Sequence, residues 1–446
     1  MKKYRKFIFD SYDFDRKVGT LSLKYSYDDE LFFTETVEFP LNRTLGDEEI
    51  RVLDRVFKYL HLAAGVSYYK LFAPWEMELR NTRLDGEEAE FFNDFYRDGL
   101  GEFSYRNNLT DLRSRINFPH SRGEGEGSRT DFKLKNRVLI PIGGGKDSLV
   151  TLEIVRKYTD NLLLCSVGRA KPIVDTVKIS GCDYFSIGRT ISPVLLELNG
   201  KLEQIGGYNG HVPISGIISL ILVAAGVIVG FDTILMSNER SASVGNVDFN
   251  GITVNHQWSK SFEFEEKMNS FIKEHIFGGF NYLSFLRPLS EIHIVKLFAG
   301  LKQYHGVFAS CNGNFRIENK TERWCCDCPK CRFVFLALAV YLDKSSMMAI
   351  FGRNILDEER QLDGFLELCG IKNHRPFECV GEIEESIYAV LNVHRSFGDD
   401  YIVRELCGLL AGVDIDSLGK KLFTPSDEHL LTDELRHILY CAVGDE

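Results

Sequence analysis

Val138-Leu-Ile-Pro-Ile-Gly-Gly-Gly-Lys-Asp-Ser148 is the stretch that decides the fold class. Val138, Leu139, Ile140 and Ile142 form a short apolar run that predicts a buried strand. Leu149, Val150, Leu152, Ile154 and Val155 then predict a helix with an apolar face, continuing to Tyr158. A strand, a glycine loop and a helix start form an anion trap. The glycines permit the turn, successive backbone N–H groups converge on an oxyanion, and the helix N-terminus adds positive potential. Gly143, Gly144, Gly145, Lys146, Asp147 and Ser148 are therefore candidate binding residues. Lys146 is expected to meet a phosphate and Asp147 to hold Mg²⁺. Ser148 is expected to cap the helix and touch a phosphate oxygen. The bland alternative is a generic glycine turn with a solvated helix start, and two opposite charges beside three glycines weigh against it.

Outward from this loop the pattern alternates. Leu162–Val167, Tyr184–Ile187 and Thr233–Met236 predict further strands separated by helical segments, hence an α/β class with a parallel sheet wrapped on both faces. Such sheets bind ligands at the carboxyl ends of their strands, near the point where strand order reverses. That places the glycine loop, Gly168 with Arg169, and the segment Ser237–Ser241 along one edge. Asn238, Glu239 and Arg240 become candidate contacts. Glu239 and Arg240 either touch substrate or nucleotide, or pair with one another as surface charge. Residues 1–118 predict an N-terminal α+β domain, with strands at 7–9, 20–25 and 31–39 and a helix at 47–62. Residues 119–131 read as a linker, 132–345 as the α/β domain and 346–446 as a helical C-terminal region. Residues 212–231 are nearly all apolar and about long enough to span a bilayer. Pro213 and several Gly and Ser residues interrupt the run, which leads directly into a strand, so a central helix against the sheet is expected.

Bulk properties narrow the function classes. At 446 residues two or three domains are expected, and 44% apolar content supplies ample core. A net charge of −11 argues against nucleic acid as the main partner, because phosphate binding needs a basic surface. The N-terminus Met-Lys-Lys-Tyr-Arg-Lys lacks the apolar core of a secretory signal, and a cytoplasmic protein is expected. Eleven cysteines, four of them in one short run, suit a reducing compartment and a metal site better than a disulfide framework. Oligomeric state stays open.

Asn255-His-Gln-Trp-Ser-Lys260 gathers an imidazole, two amides and a lysine in six residues. His256 is a candidate general base because an imidazole titrates near working pH. Lone histidines are more often structural, and His211 is a weaker candidate of the same kind. Cys325, Cys328 and Cys331 make two successive C-x-x-C steps, with Cys311 upstream as a possible fourth thiolate. Four sulfurs favour structural zinc with no open position, while a redox dithiol or unmetallated core cysteines remain the alternatives.

The glycine loop resembles the Ser-Gly-Gly-x-Asp-Ser signature of ATP pyrophosphatases (the adenine nucleotide α-hydrolase-like fold), with Gly143 where serine is usual. The cysteine run is similar to that of 7-cyano-7-deazaguanine synthases, with Cys326 where glycine is common. Over most of its length the chain resembles the UDP-N-acetyl-α-D-muramoyl-L-alanyl-L-glutamate epimerase family. The resemblance rests on Ala64–Lys70, Gly101–Phe103, Gly143–Ser148, Met236–Ala242, Val254–Gln257, Cys328–Phe333 and Pro376–Glu382. It implies that ATP is consumed to AMP and pyrophosphate while a terminal L-glutamate of a UDP-muramoyl dipeptide becomes D-glutamate. It also implies an acyl adenylate: a proton α to a free carboxylate is extremely weakly acidic because its removal creates a dianion, and the adenylate removes that charge. His256, Glu239 and Lys260 are then candidates for proton handling or enolate stabilisation. Gly168 and Arg169 join the nucleotide site, and Asn238, Arg240, Asn255 and His211 the substrate site. An ATP pyrophosphatase modifying a nucleobase or tRNA, and a non-catalytic ATP-binding module, are the competing readings.

Overall fold

The computed structural model describes residues 4–121, 132–315, 323–373 and 375–444. Of the expected linker, 122–131 lie outside the described residues. The strands are β1 (Lys6–Asp15), β2 (Thr20–Tyr27), β3 (Leu31–Glu38), β4 (Glu76–Leu79), β5 (Val138–Pro141) and β6 (Leu162–Val167). They continue with β7 (Tyr184–Thr190), β8 (Thr233–Met236), β9 (Val247–Phe249), β10 (Ile252–Val254) and β11 (Asn281–Ser284). A large, mostly parallel sheet has the order β11-β8-β5-β6-β7-β3-β2-β1-β4, and β9 pairs with β10 apart from it. The class is α/β, as the alternation predicts. β1, β2 and β3 are antiparallel neighbours, and β3 pairs antiparallel with β7 through Val37 and Arg189. β5 and β8 are parallel. From β5 the chain proceeds to β6 on one side and later to β8 on the other, so the glycine loop leaves the sheet where strand order reverses.

The chain divides into two compact units. The first comprises Met1–Leu139, Phe185–Ile234 and Asp248–Tyr282. Its core is aromatic, with Tyr25 stacked on Tyr68 at 4.8 Å between ring centres. The Tyr25 and Tyr96 hydroxyls donate to the carbonyls of His61 and Leu62. These oxygens belong to the last turn of the Asp47–Ala64 helix, where backbone donors run short; the His61 carbonyl also accepts from the Gly65 N–H at 3.2 Å. At Gly65, which follows, a Cβ would lie 2.4 Å from Phe9. The tight aromatic turn from Gly65 ends on Lys70. The apolar run forms a helix over Ile214–Ala225, a π turn over Gly226–Gly230, and then β8. A Cβ on Gly226 would sit 3.0 Å from Phe280, so glycine lets a ring approach where the helix widens. Among the described residues no helix is long and apolar enough to cross a membrane.

The second unit comprises Ile140–Tyr184, Leu235–Val247 and Leu283–Glu446. β6 is buried from Leu162 to Ser166, as an interior strand covered on both faces requires. The helix after the glycine loop spans Lys146–Val155 and stops short of Tyr158. Tyr158 is half exposed, and the last turn tightens into bonds from Lys157 N–H to the Ile154 carbonyl and from Tyr158 N–H to the Val155 carbonyl. The Glu291–Ala299 helix packs on Lys146–Val155 and on Pro329–Leu338. Helices at Ile383–Leu391 and Tyr401–Leu409 match the apolar spacing of the C-terminal region.

Candidate active site

Two clusters of functional side chains stand out, one in each unit. In the first unit, Gly101–Arg106 forms a short helix whose Gly101 lies against Val254, at the end of β10. That contact brings Glu102 to His256. The His256 Nδ1 lies 2.5 Å from Glu102 Oε2, and Arg106 Nε donates to Glu102 Oε1 at 2.5 Å. His211 Nδ1 is 3.6 Å from the same Oε2, and the two imidazole rings are 4.4 Å apart. Glu102 is buried and both imidazoles are partly so. Burial is the largest influence on Glu102 and would raise its pKa. The hydrogen bond and charge of His256, with the hydrogen bond from Arg106, outweigh it and hold the carboxyl below its ordinary range. Burial pushes His211 down to about 3, assisted by the charges of His256, Lys70 and Lys260 against the pull of Glu102. His211 is therefore neutral at working pH, and Glu102 makes its short hydrogen bond to His256. Lys260 ends a short 3₁₀ turn at Trp258–Lys260, and Asn255 Oδ1 accepts from the Gln257 N–H, shaping the entry to that turn.

Lys70 belongs to the same neighbourhood. Its ammonium donates to Asn209 Oδ1 at 2.7 Å and to the Gly210 carbonyl at 2.5 Å, immediately before His211. Burial pushes it down to about 8.

In the second unit, the segments after β8, β5 and β6 follow the carboxyl ends of three neighbouring strands. Gly144 has φ +79°, and a Cβ there would fall 3.1 Å from the Ile173 nitrogen. Gly145 takes the N-cap position, while Ser148 sits in the first turn and donates back to the Gly145 carbonyl at 3.3 Å. The serine is thus not the cap that the sequence predicts, since a hydroxyl one turn into the helix meets a carbonyl and no orphan N–H. Lys146 is fully buried and ion-paired to Asp147 and Glu291, and Lys330 Nζ lies 3.5 Å from the other Glu291 oxygen. Burial would raise Glu291, but the two ammonium groups hold it well below the usual range. Asp147 keeps a quarter of its side chain exposed. Gly168 has φ +87° and Arg169 is exposed beside it. Asn238 is buried and donates to Ser284 Oγ, the Glu239 carbonyl accepts from Arg287, and Arg240 donates to the Thr424 carbonyl.

The four cysteines also converge here. The sulfurs of Cys311, Cys325, Cys328 and Cys331 lie within 4.8 Å of one another, with Cys325 and Cys331 3.7 Å apart. Tetrahedral zinc with Zn–S bonds of about 2.3 Å spaces its sulfurs about 3.8 Å apart, so the set fits that ion. Cys328 caps the Pro329–Leu338 helix by accepting from the Cys331 N–H. Cys326, next to a ligand candidate, takes φ +53° and turns its sulfur toward the Phe351 carbonyl, away from the cluster.

Residues 1–285 match the family model described as the MurL N-terminal domain, and residues 307–413 match the MurL C-terminal domain. The chain belongs to the MurL family. It is 38% identical over 395 residues to a protein of Xanthomonas oryzae pv. oryzae, covering 87% of this chain and 86% of that one. It is 40% identical over 400 residues to one of Salinispora tropica, covering 87% and 85%. It is 38% identical over 439 residues to one of Micromonospora sp., covering 96% of each. All three are named UDP-N-acetyl-alpha-D-muramoyl-L-alanyl-L-glutamate epimerase. The MurL family is thus a family of epimerases, as the resemblance implies.

Within this MurL chain the motifs acquire physical contacts. Gly101–Phe103 and Val254–Gln257 meet at the Glu102–His256 pair. Pro376–Glu382 packs on Cys328–Phe333: the Lys330 N–H donates to Glu378, and a Cβ on Gly381 would fall 2.3 Å from Phe333. Sequence reasoning singled out His256, His211 and Lys260 but not Glu102 or Lys70, although both lie in the quoted motifs. Glu291 lies outside every motif, in a helix whose start resembles any other.

Proposed function

We propose that this chain epimerises the terminal glutamyl residue of UDP-N-acetylmuramoyl-L-alanyl-L-glutamate, from L to D, with ATP as co-substrate. The observation that carries this reading is the largely buried Glu102–His256 pair in a chain about two-fifths identical to glutamate epimerases. An α-proton beside a free carboxylate resists removal because a dianion results. Adenylylation at that carboxylate removes its charge, leaves an ester-like carbonyl and expels pyrophosphate. His256, with Nδ1 turned to Glu102, takes the α-proton at Nε2, and Glu102 stabilises the imidazolium that forms. The enolate electron pair then accepts a proton at the opposite face, and water releases AMP. Asn255, Lys260 and neutral His211 are assigned to binding and orienting the glutamyl group in the first unit.

The nucleotide is assigned to the second unit. Backbone N–H groups of Gly143–Gly145 and the start of the Lys146–Val155 helix receive the phosphates, with Gly168, Arg169, Asn238, Glu239 and Arg240 at the neighbouring strand ends. Asp147 is the carboxylate exposed enough to hold Mg²⁺, while Lys146 braces the loop from within through Glu291. The cysteine cluster would hold one zinc, which supplies rigidity and no chemistry because all four positions are filled by sulfur.

His256→Gln tests the reading. The variant should still form AMP and pyrophosphate from ATP and the dipeptide precursor while D-glutamate formation stops. Retained epimerisation would move the base elsewhere, to Lys260 or Glu239. An Asp147→Asn variant should lose pyrophosphate release with its circular dichroism unchanged. Epimerisation by the wild-type chain without ATP would refute the acyl adenylate.

A further inference from the structure

Inverting a carbon centre needs a proton removed from one face and another delivered to the opposite face. A single imidazole held by a carboxylate serves one face. Glu102 and His256 account for that face, and His211 is held neutral beside them. The neighbourhood contains one more ionisable group of unusual standing. Lys70 is only 8% exposed and makes no ion pair with any carboxylate among the described residues. Its two hydrogen-bond acceptors, Asn209 Oδ1 and the Gly210 carbonyl, are neutral. An ammonium carries three N–H donors, so one proton remains for a partner that the protein does not supply. Burying a cation without a counter-ion is costly, and the arrangement is retained where the missing partner is a substrate.

The chain builds this position with care. The turn from Gly65 to Tyr69 is fixed by buried aromatic side chains. From the other side, Asn107 Nδ2 donates to the Asn209 carbonyl and so fixes the loop that clamps the ammonium. His211 continues directly from that clamp to Glu102, 3.6 Å away.

We propose that Lys70 is the second proton-handling group of the epimerisation, serving the face of the α-carbon opposite to that served by His256. The inference rests on the epimerase reading above. In the forward direction the Cα–H bond breaks, its electron pair enters the enolate and the proton goes to His256 Nε2. One Lys70 N–H bond then breaks, and its proton joins the enolate pair at Cα, leaving Lys70 neutral and His256 charged. Exchange with water restores both. The depressed basicity of Lys70 suits this role, because both protonation states are accessible near neutral pH.

The experiment uses the full chain with ATP and Mg²⁺ in deuterated water, starting separately from the L-glutamyl and D-glutamyl precursors. Recovered substrate, epimer and AMP are each quantified. Wild-type inversion with AMP formation tests the epimerase reading itself. Lys70→Met should make AMP and wash deuterium into the L-glutamyl substrate, with inversion reduced at least 100-fold. His256→Gln should show the mirror pattern, exchanging only the D-glutamyl substrate. Lys70→Arg keeps the cation but cannot release a proton, and should behave as Lys70→Met; it also serves should the methionine variant fold poorly. Inversion at near wild-type rate in Lys70→Arg would overturn the proposal. So would loss of AMP formation in both Lys70 variants, or exchange without inversion in Lys260→Met instead.

Discussion

Single residues in this chain carry their function at a cost to stability. Lys70 is depressed from 10.5 to about 8 by burial, a difference of roughly 3 kcal/mol in favour of the neutral form. The folded state therefore binds fewer protons than the unfolded chain between pH 8 and 10.5, and stability rises across that window. Below pH 8 the full cost is present. Lys70→Met should accordingly be more stable than wild type at pH 7 in urea unfolding, with the gap closing toward pH 10.5. A loss of stability at pH 7 would instead assign the lysine a structural role. Glu102 and His211 act in the acid range. His211 resists protonation down to about 3, whereas the unfolded imidazole protonates near 6.5, so stability falls as pH drops between these values. Glu102 adds to the loss as pH falls through its lowered pKa.

At the scale of elements, the glycine loop distinguishes its three glycines. Gly144 needs its positive φ and has Pro172 and Ile173 pressed against it, so Gly144→Ala should cost about 1–3 kcal/mol and impair pyrophosphate release. Nothing lies within 4 Å of a Cβ on Gly143, so Gly143→Ser should fold normally and keep pyrophosphate release. The loop is also tied to the cysteine cluster twice. The Ala309 N–H donates to the Gly144 carbonyl two residues before Cys311, and Lys330, between Cys328 and Cys331, meets the Glu291 that holds Lys146. Cys328→Ser should therefore lose about one zinc per chain, lower the melting temperature and speed amide exchange at 143–148. Unchanged exchange there would mean that the cluster stabilises only its own helix.

At the scale of the whole molecule, one group in each unit, His211 in the first and Glu385 in the second, titrates with the opposite sign. In the second unit, burial and the charge of Glu291 raise Glu385 to about 7, so the fold keeps a proton that the unfolded chain loses near 4.5. Its contribution is full below 4.5 and is lost as pH rises to 7, the reverse of His211. Lowering pH from 6.5 to 5 should thus reduce protection from hydrogen exchange, corrected for intrinsic rates, around His211 and increase it around Glu385. Sequence alone reached the strands and helices flanking the glycine loop, because periodicity and glycine punctuation are local signals. It reached the cysteine cluster through spacing, and the family through recognisable motifs. β4, β9, β10 and β11 escaped it because short strands such as Glu76-Met-Glu-Leu79 mix polar residues into too few positions, whereas the equally short β5 and β8 register through their apolar runs. The identity of the partners belonged to tertiary structure. Glu102 lies 154 residues from His256, and Glu291 lies 145 from Lys146. No local pattern couples such positions; they meet only when Gly101 packs on Val254 and when the Glu291–Ala299 helix packs on Lys146–Val155. The sequence determined which groups were available, and packing decided which of them meet.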